Sequence, residues 1–144
     1  MRYFENMAQY VRSPDPVGRR QGAGRKRILI VDDNDSLLNT LRICLESQGF
    51  TVCGEALNGL DAIGKAVDTE PDLVILDLAM PDMNGVAVAS TLQRLRPNVP
   101  IILLTIYGDH VSTSFASIFG IKAIVSKSDG MGKLIEAVQS LIKD

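Results

Sequence analysis

The stretch that decides the fold is Ile28-Leu29-Ile30-Val31-Asp32-Asp33, an apolar run that ends in two carboxylates. Three more short apolar runs follow, and a polar residue stands at or just beyond the end of each: Leu73–Leu76 before Asp77, Ile101–Leu104 before Thr105, and Ala123–Val125 shortly before Lys127. Runs of this length and composition are typical of strands buried in a parallel sheet. Ligand sites of open α/β sheets lie outside the carboxyl ends of the strands, so the polar residues stand where a site is expected.

Helical periods alternate with these strands, and a further short strand is predicted over 51–56. The expected helices are one capped by Asp35 or Ser36 and closed by Gly49, one over 59–69, one that stops before Pro97, one over 109–119, and a last one with Leu134, Ile135, Val138, Leu141 and Ile142 on one face. Five βα units with right-handed crossovers predict an α/β fold: a doubly wound, five-stranded parallel sheet with helices on both faces.

Length and composition predict one globular domain. The chain has 144 residues, with 46% hydrophobic and 22% charged residues, which is enough for one core and too little for two ordinary domains. It has neither an apolar run long enough to cross a bilayer nor the apolar segment of a signal peptide, so we expect a cytoplasmic protein without a membrane partner. Cys44 and Cys53 have no metal-ligand spacing and are expected to be small core residues.

Charge divides the chain into two parts. Residues 1–27 carry seven basic and two acidic residues, whereas the rest carries eight basic and fifteen acidic residues. With its prolines and glycines, the first part predicts a basic, flexible extension over 1–26, followed by an acidic folded domain over 27–144. The extension is interpreted as a solvated tail in preference to a nucleic-acid contact, and the acidic domain is not expected to bind nucleic acid directly.

The acidic residues at the predicted sheet edge indicate a metal site. Asp32, Asp33 and Asp77 would repel one another and raise one another's pKa if they converged there without a cation. A hard divalent ion with oxygen ligands satisfies that arrangement, and Mg²⁺ is the expected ion.

Taken in order, these motifs resemble the receiver domain of two-component response regulators. The resemblance rests on Asp32-Asp33, on Asp77 with Met80-Pro81 and Gly85 after it, on Thr105 and on Lys127, and it covers residues 28–144. Lys127-Ser128-Asp129 is similar to the receivers that precede LuxR-type helix-turn-helix domains. The family implies a flavodoxin-like sheet of strand order 2-1-3-4-5; the chemotaxis receiver is a known example of that order.

The resemblance implies a signalling phosphoacceptor that catalyses its own phosphorylation and dephosphorylation. Asp77 would take a phosphoryl group from the phosphohistidine of a sensor histidine kinase or a histidine phosphotransfer protein. Lys127 would pair with the phosphoryl group, and the Thr105 hydroxyl would hydrogen-bond to it.

The resemblance also implies a ligand set for the metal. Asp33 and Asp77 would bind Mg²⁺ directly, the backbone carbonyl of Ala79 would be a third ligand, and Asp32 would act mainly through water.

Several positions depart from the family pattern. Ile106 stands where a small residue is usual, which predicts slow phosphorylation by small donors. Ile124 replaces the aromatic residue that usually rotates on activation, and Ala79 and Tyr107 occupy positions that tune the lifetime of the phosphoryl group. Thr105, Ile106, Tyr107 and Ile124 are therefore the expected switch residues.

The implied output surface is the helix 4/strand 5/helix 5 face, formed by the predicted helix over 109–119, the last strand and the last helix. A homodimer could form through it. Both a stand-alone receiver and a part of a longer transcription regulator fit the sequence.

The sequence argues against two other functions and leaves a third open. A magnesium-dependent phosphatase with an Asp nucleophile needs a second Asp where Ala79 stands, and an FMN binder needs a phosphate-cradling loop where residues 32–35 carry three carboxylates. A receiver-like module that acts by protein contacts without phosphorylation remains the alternative.

Overall fold

Five parallel strands form one sheet in the order β2-β1-β3-β4-β5, which confirms the predicted topology. The computed structural model describes residues 24–80, 82–106, 117 and 119–142. The elements are β1 (Arg27–Val31), α1 (Asp35–Ser47), β2 (Thr51–Ala56), α2 (Gly59–Thr69), β3 (Leu73–Asp77), α3 (Gly85–Leu95), β4 (Ile101–Thr105), β5 (Ile121–Ser126), a 3₁₀ turn (Lys127–Asp129) and α4 (Met131–Leu141).

Here α4 denotes the last helix, Met131–Leu141, which is helix 5 in the numbering of the helix 4/strand 5/helix 5 face. Apart from Ser117 and Phe119, the helix predicted over 109–119 lies outside the described residues, as do Tyr107, Pro81 and most of the basic N-terminal extension. Within the described ranges, no helix combines the length and the apolar character that crossing a bilayer requires.

Alternation along the strands divides the core between the two faces of the sheet. Ile28 and Ile30 point to the face covered by α1 and α4, whereas Leu29 and Val31 point to the face covered by α2 and α3. All four side chains are buried, because helices cover both faces of a doubly wound sheet. Cys44 belongs to the first face and is fully buried, as predicted, while Cys53 is half-buried at the edge strand β2 and packs against the second.

Asparagine caps three helices that begin at the site edge of the sheet, α1, α2 and α3. The Asn34 side chain accepts a hydrogen bond from the Leu37 N–H, so the prediction that Asp35 or Ser36 caps α1 was wrong. The cap lies one residue earlier because the Asp32 carboxylate accepts the Asn34 N–H at 3.0 Å and turns the chain there. Asn58 and Asn84 cap α2 and α3 in the same way.

The register of the strands brings the polar residues together. Val31 pairs with Leu76, so Asp32 and Asp77 follow side by side at the ends of β1 and β3. Asp77 in turn pairs with Leu104, and Thr105 pairs with Ser126, immediately before Lys127. Strand β5 begins at Ile121, two residues earlier than predicted, since Gly120 at φ +80° makes the turn that starts it.

Candidate phosphoacceptor site

Four polar side chains are buried at the carboxyl end of the sheet. Asp32, Asp77, Thr105 and Lys127 are 1%, 5%, 2% and 7% exposed, and they are the buried polar or charged residues of the described ranges. As the sequence predicted, Asp77 and Thr105 end β3 and β4, and Asp32 and Lys127 come directly after β1 and β5. Buried charges require partners, so their placement indicates a site and not surface charge.

Lys127 joins the two buried carboxylates. Its Nζ lies 2.9 Å from Oδ2 of Asp32 and 3.4 Å from Oδ1 of Asp77. The 3₁₀ turn that begins at Lys127 positions it, and the Ser126 hydroxyl caps that turn by accepting the Ser128 N–H. This turn was not predicted from the sequence, although the Ser126-Lys127-Ser128 pattern carries a signal for it, since a hydroxyl can accept from a nearby backbone N–H.

Asp33 completes an acidic cluster. One carboxylate oxygen from each of Asp32, Asp33 and Asp77 lies within 4.8 Å of the others. Asp32 and Asp77 are buried, whereas Asp33 is exposed at the mouth of the site. The single charge of Lys127 cannot balance three carboxylates, and the cluster offers only hard oxygen donors. This donor set fits Mg²⁺.

Burial controls the ionisation of the site. Burial, and next the charge of Asp32, raise the pKa of Asp77 to about 6, although Lys127 and the backbone N–H of Ala79 oppose the rise. Burial also raises the pKa of Asp32 against the opposing effect of Lys127. Burial lowers the pKa of Lys127, but its contacts with Asp32 and Asp77 outweigh that effect, and the net shift is upward. The carboxylates are therefore held in an environment that favours a further cation.

The loop after Asp77 packs closely against the strand. The Gly85 N–H donates to the Leu78 carbonyl. A Cβ on Gly85 would overlap the Asp77 carbonyl oxygen and come within 2.8 Å of the Leu78 Cα. Gly85 therefore lets α3 begin directly against the backbone of the predicted phosphoacceptor. Ala79 is exposed in this loop, and Met80 is half-buried against the second core face.

The predicted switch residues lie in different environments. Thr105 is buried at the end of β4, Ile106 is 39% exposed beyond it, and Ile124 is half-buried on β5. The Ile124 side chain packs on the core face covered by α2 and α3. Tyr107 lies outside the described residues, so the proposed role of this set stays a prediction.

The structure adds one residue beside the site that the sequence did not indicate. Asp82, in the loop before α3, accepts hydrogen bonds from the Gly59 and Leu60 N–H groups at the start of α2. These two hydrogen bonds connect segments that are more than 20 residues apart in the chain. No local sequence signal predicts them, because they depend on how closely the two loops approach in the fold.

Comparison with known proteins agrees with this geometry. The family model described as the response regulator receiver domain matches residues 28–139. The chemotaxis protein CheY of Thermotoga maritima is 32% identical over 82% of this chain and 98% of its own length. The crystal structure of the response regulator TrrA from Thermotoga maritima, in complex with Mg²⁺ and BeF, is 35% identical over 81% of this chain and 99% of that chain, with a TM-score of 0.73.

Longer relatives match over part of their length. The DNA-binding response regulator MtrA of Mycolicibacterium smegmatis is 36% identical over 83% of this chain but only 51% of its own length. The chain thus spans about half the length of MtrA and nearly all of the length of the chemotaxis relative. With a family match over most of its length and the acidic cluster and lysine at the sheet edge, the chain belongs to the response regulator receiver domain family.

Proposed function

We propose that Asp77 accepts a phosphoryl group from a phosphohistidine, carried by a sensor histidine kinase or a histidine phosphotransfer protein. The observation that supports this most directly is that one buried carboxylate lies beside a lysine ammonium and within an acidic cluster. An oxygen of Asp77 attacks the phosphorus atom, the P–N bond of the phosphohistidine breaks, and its electron pair returns to the imidazole nitrogen. The product is an aspartyl phosphate.

The surrounding residues have distinct roles in this proposal. Lys127 moves from its contact with Asp32 towards the phosphoryl oxygens, as a mobile point charge can. The Thr105 hydroxyl donates a hydrogen bond to a phosphoryl oxygen. The same residues assist hydrolysis of the aspartyl phosphate, so the domain also returns itself to the unphosphorylated state.

Mg²⁺ is the proposed cofactor. Asp33 and Asp77 would hold it with the Ala79 carbonyl, and Asp32 would contribute mainly through water. When bound, Mg²⁺ neutralises charge on the nucleophile and on the phosphoryl oxygens. The relative TrrA, crystallised with Mg²⁺ and BeF, supports this assignment.

The proposed output is a change at the face formed by the helix predicted over 109–119, β5 and α4. A phosphoryl group adds about two negative charges at the sheet edge, next to Thr105 and Lys127, which end β4 and follow β5. A homodimer through this face, or an attached effector domain as in the longer relatives, would pass the signal on.

Intact mass tests the phosphoacceptor. After incubation with Mg²⁺ and a small acyl phosphate, we expect the native protein to gain one phosphoryl group and Asp77→Asn to gain none. If a small donor gives no gain, a phosphorylated histidine phosphotransfer protein replaces it. Absence of transfer from both donors would favour the alternative, a module that acts by protein contacts alone.

Isothermal titration with Mg²⁺ tests the cofactor separately. We expect Asp33→Ala to weaken Mg²⁺ binding by tenfold or more, and Asp35→Ala to leave it unchanged. Asp35 is the matched control because it is exposed two residues away and is not part of the acidic cluster. Equal losses in the two variants would contradict a specific site.

A further inference from the structure

The cap that Asp82 places on α2 connects that helix to the loop of the proposed metal site. Asp82 Oδ1 accepts the Gly59 N–H at 2.9 Å and its Oδ2 accepts the Leu60 N–H at 3.1 Å. A carboxylate at this position satisfies two of the N–H groups that the first turn of a helix leaves free. Asn58 already caps the same helix by accepting from Asp61, so α2 has a second cap from another part of the chain.

The loop that carries Asp82 is short and held at both ends. At its start, the Ala79 N–H hydrogen-bonds to the Asp77 carboxylate. At its end, the Gly85 N–H donates to the Leu78 carbonyl. These two hydrogen bonds tether the chain at Ala79 and at Gly85, on either side of Asp82.

Side-chain packing reinforces the connection. A Cβ added to Gly59 would come within 2.8 Å of Val88 and 3.0 Å of Met83. The start of α2 therefore lies directly against the residue that follows Asp82, with no space between the two segments. The two hydrogen bonds and this contact fix the separation of α2 from the loop.

We propose that Asp82 is a positioning residue: by holding the loop after Asp77 against the start of α2, it places the Ala79 carbonyl for Mg²⁺. The inference rests on the proposed function, because Ala79 is a ligand only if the cluster binds the metal. Outer hydrogen bonds that orient metal ligands commonly change metal affinity by about tenfold or more when they are removed. Coupling is reciprocal, so Mg²⁺ should in turn strengthen the cap on α2.

Two measurements on the full chain test this. Isothermal titration with Mg²⁺ compares the native protein with Asp82→Ala, Asp82→Asn and Asp68→Ala. Asp68 is the control, since it is an exposed acid at the far end of α2. We expect about a tenfold weaker affinity for Asp82→Ala, a smaller loss for Asp82→Asn, which keeps one acceptor, and no change for Asp68→Ala. Amide exchange at Gly59 and Leu60 should slow when Mg²⁺ is added to the native protein.

The outcomes separate a positioning role from a simple cap. If Asp82→Ala exchanges faster at Gly59 and Leu60 but binds Mg²⁺ as the native protein does, Asp82 only stabilises the helix and the proposal is overturned. If Asp82→Ala does not fold, the Asp82→Asn titration and the Mg²⁺ dependence of exchange in the native protein decide the question. A native protein that binds no Mg²⁺ would overturn the proposed cofactor together with this inference.

Discussion

Lys127 and Asp32 form a buried ion pair, with 2.9 Å between Nζ and Oδ2, and Asp77 lies on the other side of the same ammonium. One lysine thus holds two carboxylates in place before any phosphoryl group or metal arrives. The arrangement holds Asp77, the proposed nucleophile, in a desolvated pocket together with a second carboxylate.

Removing the lysine should destabilise the metal-free fold. Lys127→Met leaves Asp32 and Asp77 buried without their cation, and breaking a buried pair from one side costs on the order of 3 kcal/mol. We expect that decrease in the free energy of unfolding, measured by urea titration with EDTA present. The control is Lys133→Met, an exposed lysine on α4, which should change stability by less than about 0.5 kcal/mol. Equal stability of the two variants would contradict the ion pair.

Asp77 should make the stability of the metal-free protein fall between about pH 4 and pH 6. Its pKa rises from 3.8 to about 6 on folding, chiefly through burial. A raised carboxyl pKa means that the folded state binds more protons than the unfolded state in this window, so its contribution is fully present below pH 4 and is lost as the pH passes 6. The free energy of unfolding should fall by roughly 2 to 3 kcal/mol for a pKa shift of that size.

Comparison of the native protein with Asp77→Asn isolates that contribution. Because Asn cannot ionise, the variant should gain stability relative to the native protein as the pH rises from 4 to 7. Chemical denaturation at several pH values, without Mg²⁺, measures the difference. A difference that does not change with pH would show that Asp77 ionises normally in the fold.

Gly85 should tolerate no side chain. Gly85→Ala would force a Cβ against the Asp77 carbonyl oxygen and the Leu78 Cα, and overpacking of this kind costs about 1 to 3 kcal/mol. Gly64→Ala is the matched control, because a Cβ there meets nothing within 4 Å in the middle of α2. That change should stabilise by up to about 1 kcal/mol. Thermal unfolding of the two variants measures both effects: we expect Tm to fall for Gly85→Ala and to rise for Gly64→Ala.

Ile106 should slow phosphorylation by small donors. It is 39% exposed directly after the buried Thr105, and we expect a β-branched side chain at this position to narrow the approach to Asp77. We expect Ile106→Ala to label several-fold faster with a small acyl phosphate, as followed by intact mass against time. Ile43→Ala, which shortens a similarly exposed isoleucine on α1, should label at the native rate. An Ile106→Ala variant that labels no faster would remove the idea of a steric block.

Much of the architecture could be predicted from local patterns. The apolar runs placed β1, β3 and β4 to within a residue, and α2 and β2 matched their predicted ranges. The cap of α1 was misplaced, because the competition between Asn34 and Asp35 is decided by a hydrogen bond to Asp32. The turn at Lys127 was missed for a similar reason, since it depends on a hydroxyl that accepts from a neighbouring N–H.

The sequence by itself determined which residues end the strands, and therefore that Asp32, Asp77, Thr105 and Lys127 meet at one sheet edge, because parallel strands expose their carboxyl ends together. Only the tertiary structure decided how those residues pair: that Lys127 contacts both carboxylates, that the pKa of Asp77 rises to about 6, and that Asp82 reaches back to α2. These features depend on distances between segments far apart in the chain and on the exclusion of water from the buried carboxylates. No periodicity in the sequence encodes either quantity.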